Sequence, residues 1–202
     1  MRYILLTILS ILLSVSKSES QKKNNFIHDS IISQLKDAFA KQDYDAFFKC
    51  FPNNFQQFLE CYGYENYEQG KLSLYSNSGE HIEFLFSDSL IKDKKHVGKL
   101  VSVAIDGSWD ADAPAFFQIG IKDIAVNYSE LLIEILMEYT DEEIEKFWSY
   151  ILYEPYPHAE DFEIDTGYIE FFSNIKEKIC AKNERMDKIV QKAYKMILDS
   201  SL

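Results

Sequence analysis

Two carboxylates one residue apart, Asp110 and Asp112, lie in the stretch Gly107-Ser108-Trp109-Asp110-Ala111-Asp112-Ala113. Such a pair can hold a divalent cation or divide acid and base roles. The neighbouring letters lack the further oxygen ligands and the sixth-position Gly of an EF-hand loop. Pro114 follows closely, so the pair also reads as a helix start. There, carboxylates bond free amides and sit against the positive end of the helix dipole. Capping is therefore the expected role, with Trp109 as a packing anchor. His81 stands in Glu80-His81-Ile82-Glu83, but residue 85 is Leu, where a zincin helix needs a second His. His28, His96 and His158 are remote in the chain, and His81 reads as structural. Cys50, Cys61 and Cys180 show neither a CxxC nor a Cys/His metal spacing. Cys50 and Cys61 flank a short helix-turn-helix and can be bridged. Alternatively, all three thiols are small buried groups. The GxSxG, GxGxxG and GxxxxGK[ST] motifs are absent. No catalytic residue, metal or cofactor is expected.

A second set of polar residues is denser. Glu154 to Asp165 holds Glu154, Glu160, Asp161, Glu163 and Asp165, interleaved with Tyr156, His158 and Phe162. Acidic groups among aromatics combine anchoring area with steering toward a basic protein. Tyr156, Glu160, Asp161 and Glu163 are the first candidates for partner contact, and Asp110 and Asp112 the second. Gly63 to Gly79 is another irregular stretch, with Tyr64, Tyr67 and Tyr75 set among Asn, Gln and Ser.

Charge supports this reading. The 33 acidic residues outnumber 21 basic ones, for a net charge of -12. Nucleic-acid binding needs clustered Lys and Arg, so no nucleic-acid partner is expected. Residues 1–20 have the layout of a signal peptide: Arg2, an apolar run from Tyr3 to Val15, then Ser16, Ser18 and Ser20 as small residues for cleavage. The run is 13 residues long, against about 20 needed to cross a bilayer. An exported, periplasmic or secreted protein without stable membrane insertion is expected. Loss of Arg2, Lys17 and Glu19 with the leader would leave 19 basic and 32 acidic residues.

Helices must position these groups. Apolar residues recur at i, i+3, i+4 and i+7 along most of residues 21–202. The stripes include Ile27, Ile31, Leu35 and Ala38, then Val97, Leu100, Val101 and Ala104. Others run through Ala113, Phe116, Phe117, Gly120, Ile121 and Ile124, and through Ile144, Phe147, Trp148, Ile151 and Leu152. Thr140-Asp141-Glu142-Glu143 spells a capping box. Pro155 and Pro157 stop the helix after Leu152, and Asn183 separates the last two helices. With 47% hydrophobic residues, 7 Gly and 4 Pro, the expectation is an all-α domain over residues 21–202. Its eight to ten helices would form stacked antiparallel hairpins around one core.

The stretches Ser78-Gly79-Glu80-His81-Ile82-Glu83-Phe84-Leu85-Phe86 and Ala104-Ile105-Asp106-Gly107-Ser108-Trp109-Asp110-Ala111-Asp112-Ala113 resemble a group of small exported all-helical bacterial proteins that includes immunity-type proteins. The resemblance covers about a quarter of the chain, between Leu74 and Ile124. It implies a non-catalytic binder that neutralises a secreted toxin by occluding its active cleft. Two alternatives remain open at this level: a structural or assembly component of the cell envelope, and a small-ligand binding domain. The oligomeric state is not legible in the letters.

Overall fold

Where the apolar stripes run, the chain is helical. The computed structural model describes residues 29–87, 93–153 and 166–200. These residues form α-helices and two short 3-10 turns, with no strand among them. The protein is all-α. The chain separates into two compact units, residues 1–51 and 52–202.

The described part of the first unit is a helical hairpin. Helix α1, residues 29–40, buries Ile32, Leu35 and Ala38. Gln42 then takes a left-handed conformation, φ 54°. The Asp43 amide donates to the Ala38 carbonyl (2.9 Å), which satisfies a group that the end of α1 leaves open. Asp43 also caps α2 (Tyr44–Cys50): its side chain accepts from the Ala46 amide at 3.0 Å. Phe39 of α1 and Phe47 of α2 lie 6.3 Å apart, ring centre to ring centre.

The second unit carries α3 (Phe55–Tyr62), α4 (Tyr64–Glu68), α5 (Ser78–Leu85), α6 (Lys94–Ala104), α7 (Ala113–Asn127), α8 (Ser129–Leu136), α9 (Asp141–Leu152), α10 (Thr166–Lys178) and α11 (Glu184–Ser200). The 3-10 turns are Tyr75–Asn77 and Cys180–Lys182. Helix α7 is the hub, packed against α5, α6, α8, α9 and α10. Its sequence explains why: Ala113, Phe117, Gly120, Ile121, Ile124 and Ala125 are all buried. At Gly120 a Cβ would come within 2.4 Å of the Phe86 ring, so only Gly lets that ring lie on α7. Phe117 also meets Phe58 at 5.2 Å between ring centres, and Phe58 meets Tyr62 at 5.3 Å. Each such ring taken out of water stabilises the fold by roughly 1.5–3 kcal/mol.

Capping sets the remaining boundaries. The Glu143 amide donates to Thr140 Oγ1 (3.3 Å), and the Thr140 amide donates to Glu143 Oε2 (2.8 Å). This is the expected capping box, and it holds the Glu143 carboxyl below its ordinary range, chiefly through the Thr140 amide. Asn183 starts α11, its Oδ1 accepting from the Met186 amide at 3.1 Å. Arg185 then ties α11 to the head of α9 through Asp141 Oδ1 (2.7 Å) and the Tyr139 carbonyl (2.9 Å). Lys94 reaches Glu134 (2.8 Å) and Glu138 (2.6 Å) on the surface. Exposed pairs of that kind contribute under about 1 kcal/mol each.

The Gly63 to Gly79 stretch is more ordered than its composition suggests. It contains α4 and a 3-10 turn. The Leu74 amide donates to the Cys61 carbonyl (2.8 Å), and so does Ser73 Oγ (3.3 Å). Those bonds close the segment onto the end of α3. Leu74 goes into the core as its anchor. Such pinning is tertiary and leaves no period in the letters.

Candidate functional site

The loop that carries Asp110 and Asp112, residues 105–112, packs on a buried side chain of α9. Tyr150 of α9 is 2% exposed, and its hydroxyl donates to the Pro114 carbonyl at the start of α7. Gly107 crosses directly over the Tyr150 ring, where a Cβ would sit 2.5 Å from Cδ1. Gln118 of α7 is buried too. Its Nε2 donates to the Tyr150 carbonyl (2.7 Å) and to the Tyr153 carbonyl (2.9 Å). These carbonyls belong to the end of α9, where intrahelical partners run out. Tyr150 thus meets the loop at Gly107 and the head of α7 at Pro114, while Gln118 ties α7 to the end of α9. Tyr153 lies beside Trp109, 6.2 Å between ring centres.

The two carboxylates behave differently from the capping expectation. Asp110 Oδ1 accepts from the adjacent Ala111 amide at 2.7 Å. Asp112 is the N-cap of α7 by backbone position, since its carbonyl accepts from the Ala115 amide (3.0 Å) and the Phe116 amide (3.3 Å). Its side chain makes no capping bond. Hydrogen bonding to the Asp112 carboxylate raises the Tyr75 phenol above its ordinary value. Burial adds to that rise, and the charges of Asp112 and Asp110 add further. Tyr75 therefore lies in the field of both carboxylates.

Tyr75 is one of three tyrosines in contact. Its ring centre is 5.3 Å from Tyr64 and 5.0 Å from Tyr67, and Tyr64 and Tyr67 are 6.3 Å apart. Tyr64 and Tyr67 occupy positions i and i+3 of α4, which puts them on one face. They are 45% and 50% exposed. The turn before α4 needs Gly63, because a Cβ there would come within 2.5 Å of the Leu59 carbonyl oxygen. Phe116 of α7 lies over Gly79, where an added Cβ would be 3.6 Å from its ring. Phe116 and Ile119 are both exposed on α7. The tyrosine cluster exposes two rings, and the carboxylate charges act on its third. Ring faces and anionic groups suit a cationic ligand.

Other candidates sit elsewhere. His81 is 2% exposed in the core, its Nδ1 3.3 Å from the Tyr62 hydroxyl and its ring edge-on to Tyr62. Cys50, Cys61 and Cys180 are free thiols, with Cys50 in the first unit and Cys61 in the second. Burial pushes the Cys61 thiol up to about 12 and the Cys180 thiol to about 11. Tyr156, Glu160, Asp161 and Glu163 lie outside the described residues. Among the described residues, no group of three or more His, Cys, Asp or Glu side chains is arranged to hold a metal ion. No helix among them is long and apolar enough to cross a membrane.

An open cleft of about 520 Å³ is lined by Asp106, Glu142, Glu145, Lys146, Lys192 and Met196, among others. Its charges satisfy one another: Lys192 bonds Glu145 at 2.6 Å, and Lys146 lies 3.4 Å from Asp106 and 3.5 Å from Glu142. The tyrosine surface has no comparable internal neutralisation of Asp110 and Asp112 by a lysine or arginine among the ion pairs described.

Sequence reasoning finds Asp110 and Asp112 and notes the tyrosines, but does not join the two. It misses Gln118 and Tyr150 as braces. For Gln118 a signal exists: it is a lone amide inside the apolar run from Ala115 to Ile121. No protein family, no curated protein and no solved structure matches this chain.

Proposed function

We propose that this is an exported, non-catalytic binding protein that neutralises a basic secreted toxin by covering its active cleft. The observation that carries the reading is the cluster of Tyr64, Tyr67 and Tyr75, its first two rings exposed, with the charges of Asp110 and Asp112 acting on Tyr75. Tyrosines supply rigid contact area at low entropic cost, and interface cores are enriched in them. The carboxylates, set in a chain of net charge -12, steer a cationic protein toward that surface. Occlusion needs shape and charge, not a nucleophile or a proton shuttle. The acidic segment with Tyr156, Glu160, Asp161 and Glu163 extends the same logic and forms a second arm of the test.

The experiment is capture of exported proteins by the tagged chain at low and high salt, with identification of what is retained. One saturable basic protein, lost on Asp110→Lys/Asp112→Lys or on Glu160→Lys/Asp161→Lys/Glu163→Lys, supports the reading. No retained protein, or retention indifferent to both reversals, overturns it. Concentration-dependent self-association without such a partner would point instead to an assembly component of the envelope.

A further inference from the structure

We propose that Met137 is a site of reversible oxidation, whose sulfoxide oxygen is received by two N–H donors already aimed at the sulfur and tightens the joint between α8 and α11. Met137 directly follows α8 and is 44% exposed. Its Sδ lies 3.5 Å from Asn183 Nδ2 and 3.6 Å from Arg185 Nη1. Other bonds fix both donors. The Met186 amide needs an acceptor and takes Asn183 Oδ1 at 3.1 Å, which turns Nδ2 toward the sulfur. Arg185 is held at its other two nitrogens. Nε meets Asp141 Oδ1 at 2.7 Å, and Nη2 meets that same oxygen at 2.6 Å and the Tyr139 carbonyl at 2.9 Å. A thioether is a weak acceptor. Two strong donors, one of them charged, thus converge on a group that rewards them little.

An oxygen atom on the sulfur would satisfy them, and hydrogen peroxide supplies it. A lone pair of Sδ attacks one peroxide oxygen, the O–O bond breaks and an S–O bond forms. The departing hydroxide takes the proton left on the transferred oxygen and leaves as water. Sulfur loses two electrons and the peroxide gains them. The product is polar where the thioether is not, and the unbranched side chain rotates to bring its oxygen to Nδ2 and Nη1. An oxyanion from solution would meet the same donors, but Asp141 already neutralises the guanidinium and repels a second anion. A sulfoxide is neutral and meets no such repulsion. In a packed core the same oxidation disrupts contacts. Met186, fully buried, stands in that contrasting position.

The test uses the full chain carrying Met196→Leu and Cys50→Ser, which removes the other exposed methionine and the half-buried thiol among the described residues. After hydrogen peroxide treatment the added oxygen is located by peptide mass mapping, and Tm is read by circular dichroism. Oxidation at Met137 should raise Tm by about 2–4 °C. Treatment with the two methionine sulfoxide reductases, one for each epimer, should return it. Asn183→Asp keeps the acceptor that caps α11 and replaces the donor by a carboxylate, so the rise should vanish there. Met137→Gln places a carbonyl oxygen near the donors without any oxidant and should show a similar rise. Met137→Leu should leave Tm indifferent to peroxide. An unchanged or lower Tm with the oxygen mapped to Met137 overturns the inference, and so does a rise that survives Asn183→Asp. A Met137 left unoxidised by peroxide that fully oxidises a methionine-containing peptide overturns it as well.

Discussion

Gly107→Ala tests the support beneath the site, and its effect follows from three distances. The new methyl would lie 2.5 Å from Tyr150 Cδ1, 2.6 Å from Cγ and 2.8 Å from Cε1. These atoms belong to the body of the ring, not to a flexible tip. The ring is 2% exposed, touches Phe55 at 5.8 Å between centres, and is tethered by its hydroxyl to the Pro114 carbonyl. It has nowhere to go, so the loop must lift. Overpacking of this kind costs about 2 kcal/mol, within a usual range of about 1–3. For a chain of this size that lowers Tm by roughly 4–8 °C. Gly98→Ala is the internal control. Nothing lies within 4 Å of its added Cβ, and Gly98 is inside α6. Alanine there should stabilise by about 0.5–1 kcal/mol, through helix propensity alone. Thermal unfolding followed by circular dichroism measures both. Equal Tm values for Gly107→Ala and the parent would refute the bracing argument.

Four further outcomes are expected. Thr140→Ala removes half of a capping box and should destabilise by about 1 kcal/mol, measurable as a fall in the urea midpoint. Burial raises the Tyr62 and Tyr150 phenols and the Cys61 thiol, so the folded state keeps protons that the unfolded chain releases. Stability should be complete below about pH 8.5 and then fall, by about 1.4 kcal/mol per pH unit for each group past its unfolded value, and a urea midpoint unchanged up to pH 11 would contradict this. Cys50 is half-buried while Cys61 and Cys180 are buried, so one thiol should react with a bulky disulfide reagent in the native protein and three in denaturant. Only one in denaturant would mean a disulfide has formed. Tyr75→Phe keeps the ring contacts with Tyr64 and Tyr67 and removes only the hydroxyl, so the thermal midpoint should shift by no more than about 2–4 °C by circular dichroism.

The helices were legible because burial in this protein follows a helical period. In α9 the stripe Ile144, Phe147, Trp148, Ile151 and Leu152 is buried residue for residue, and the Thr140 box marks its start. The stretch from Gly63 to Gly79 was not legible as structure. Its order comes from bonds between Ser73, Leu74 and the Cys61 carbonyl, which no local pattern encodes. The candidate site divides in the same way. Asp110 and Asp112 stand out by residue type. Their tyrosine neighbours come from α4 and the turn before α5, dozens of positions earlier in the chain, and only the fold brings them together.

Asp112 shows that residue type nominates an N-cap while backbone conformation decides whether its side chain bonds. At the N-cap position an aspartate side chain ordinarily accepts from the N2 or N3 amide, and losing that bond costs about 1 kcal/mol. Asp43, Asn54 and Asp93 all make it, with acceptor distances of 3.0, 2.9 and 2.9 Å. So does Thr140. Asp112 occupies the same position and does not. The reason lies in the backbone: those four N-caps are extended, whereas Asp112 has φ −103° and ψ −127°. An N-cap side chain reaches the N2 or N3 amide from the extended region. Pro114 at N2 removes one donor, and the Ala115 amide at N3 bonds the Asp112 carbonyl instead. Asn77, also outside the extended region, likewise makes no side-chain cap at the start of α5.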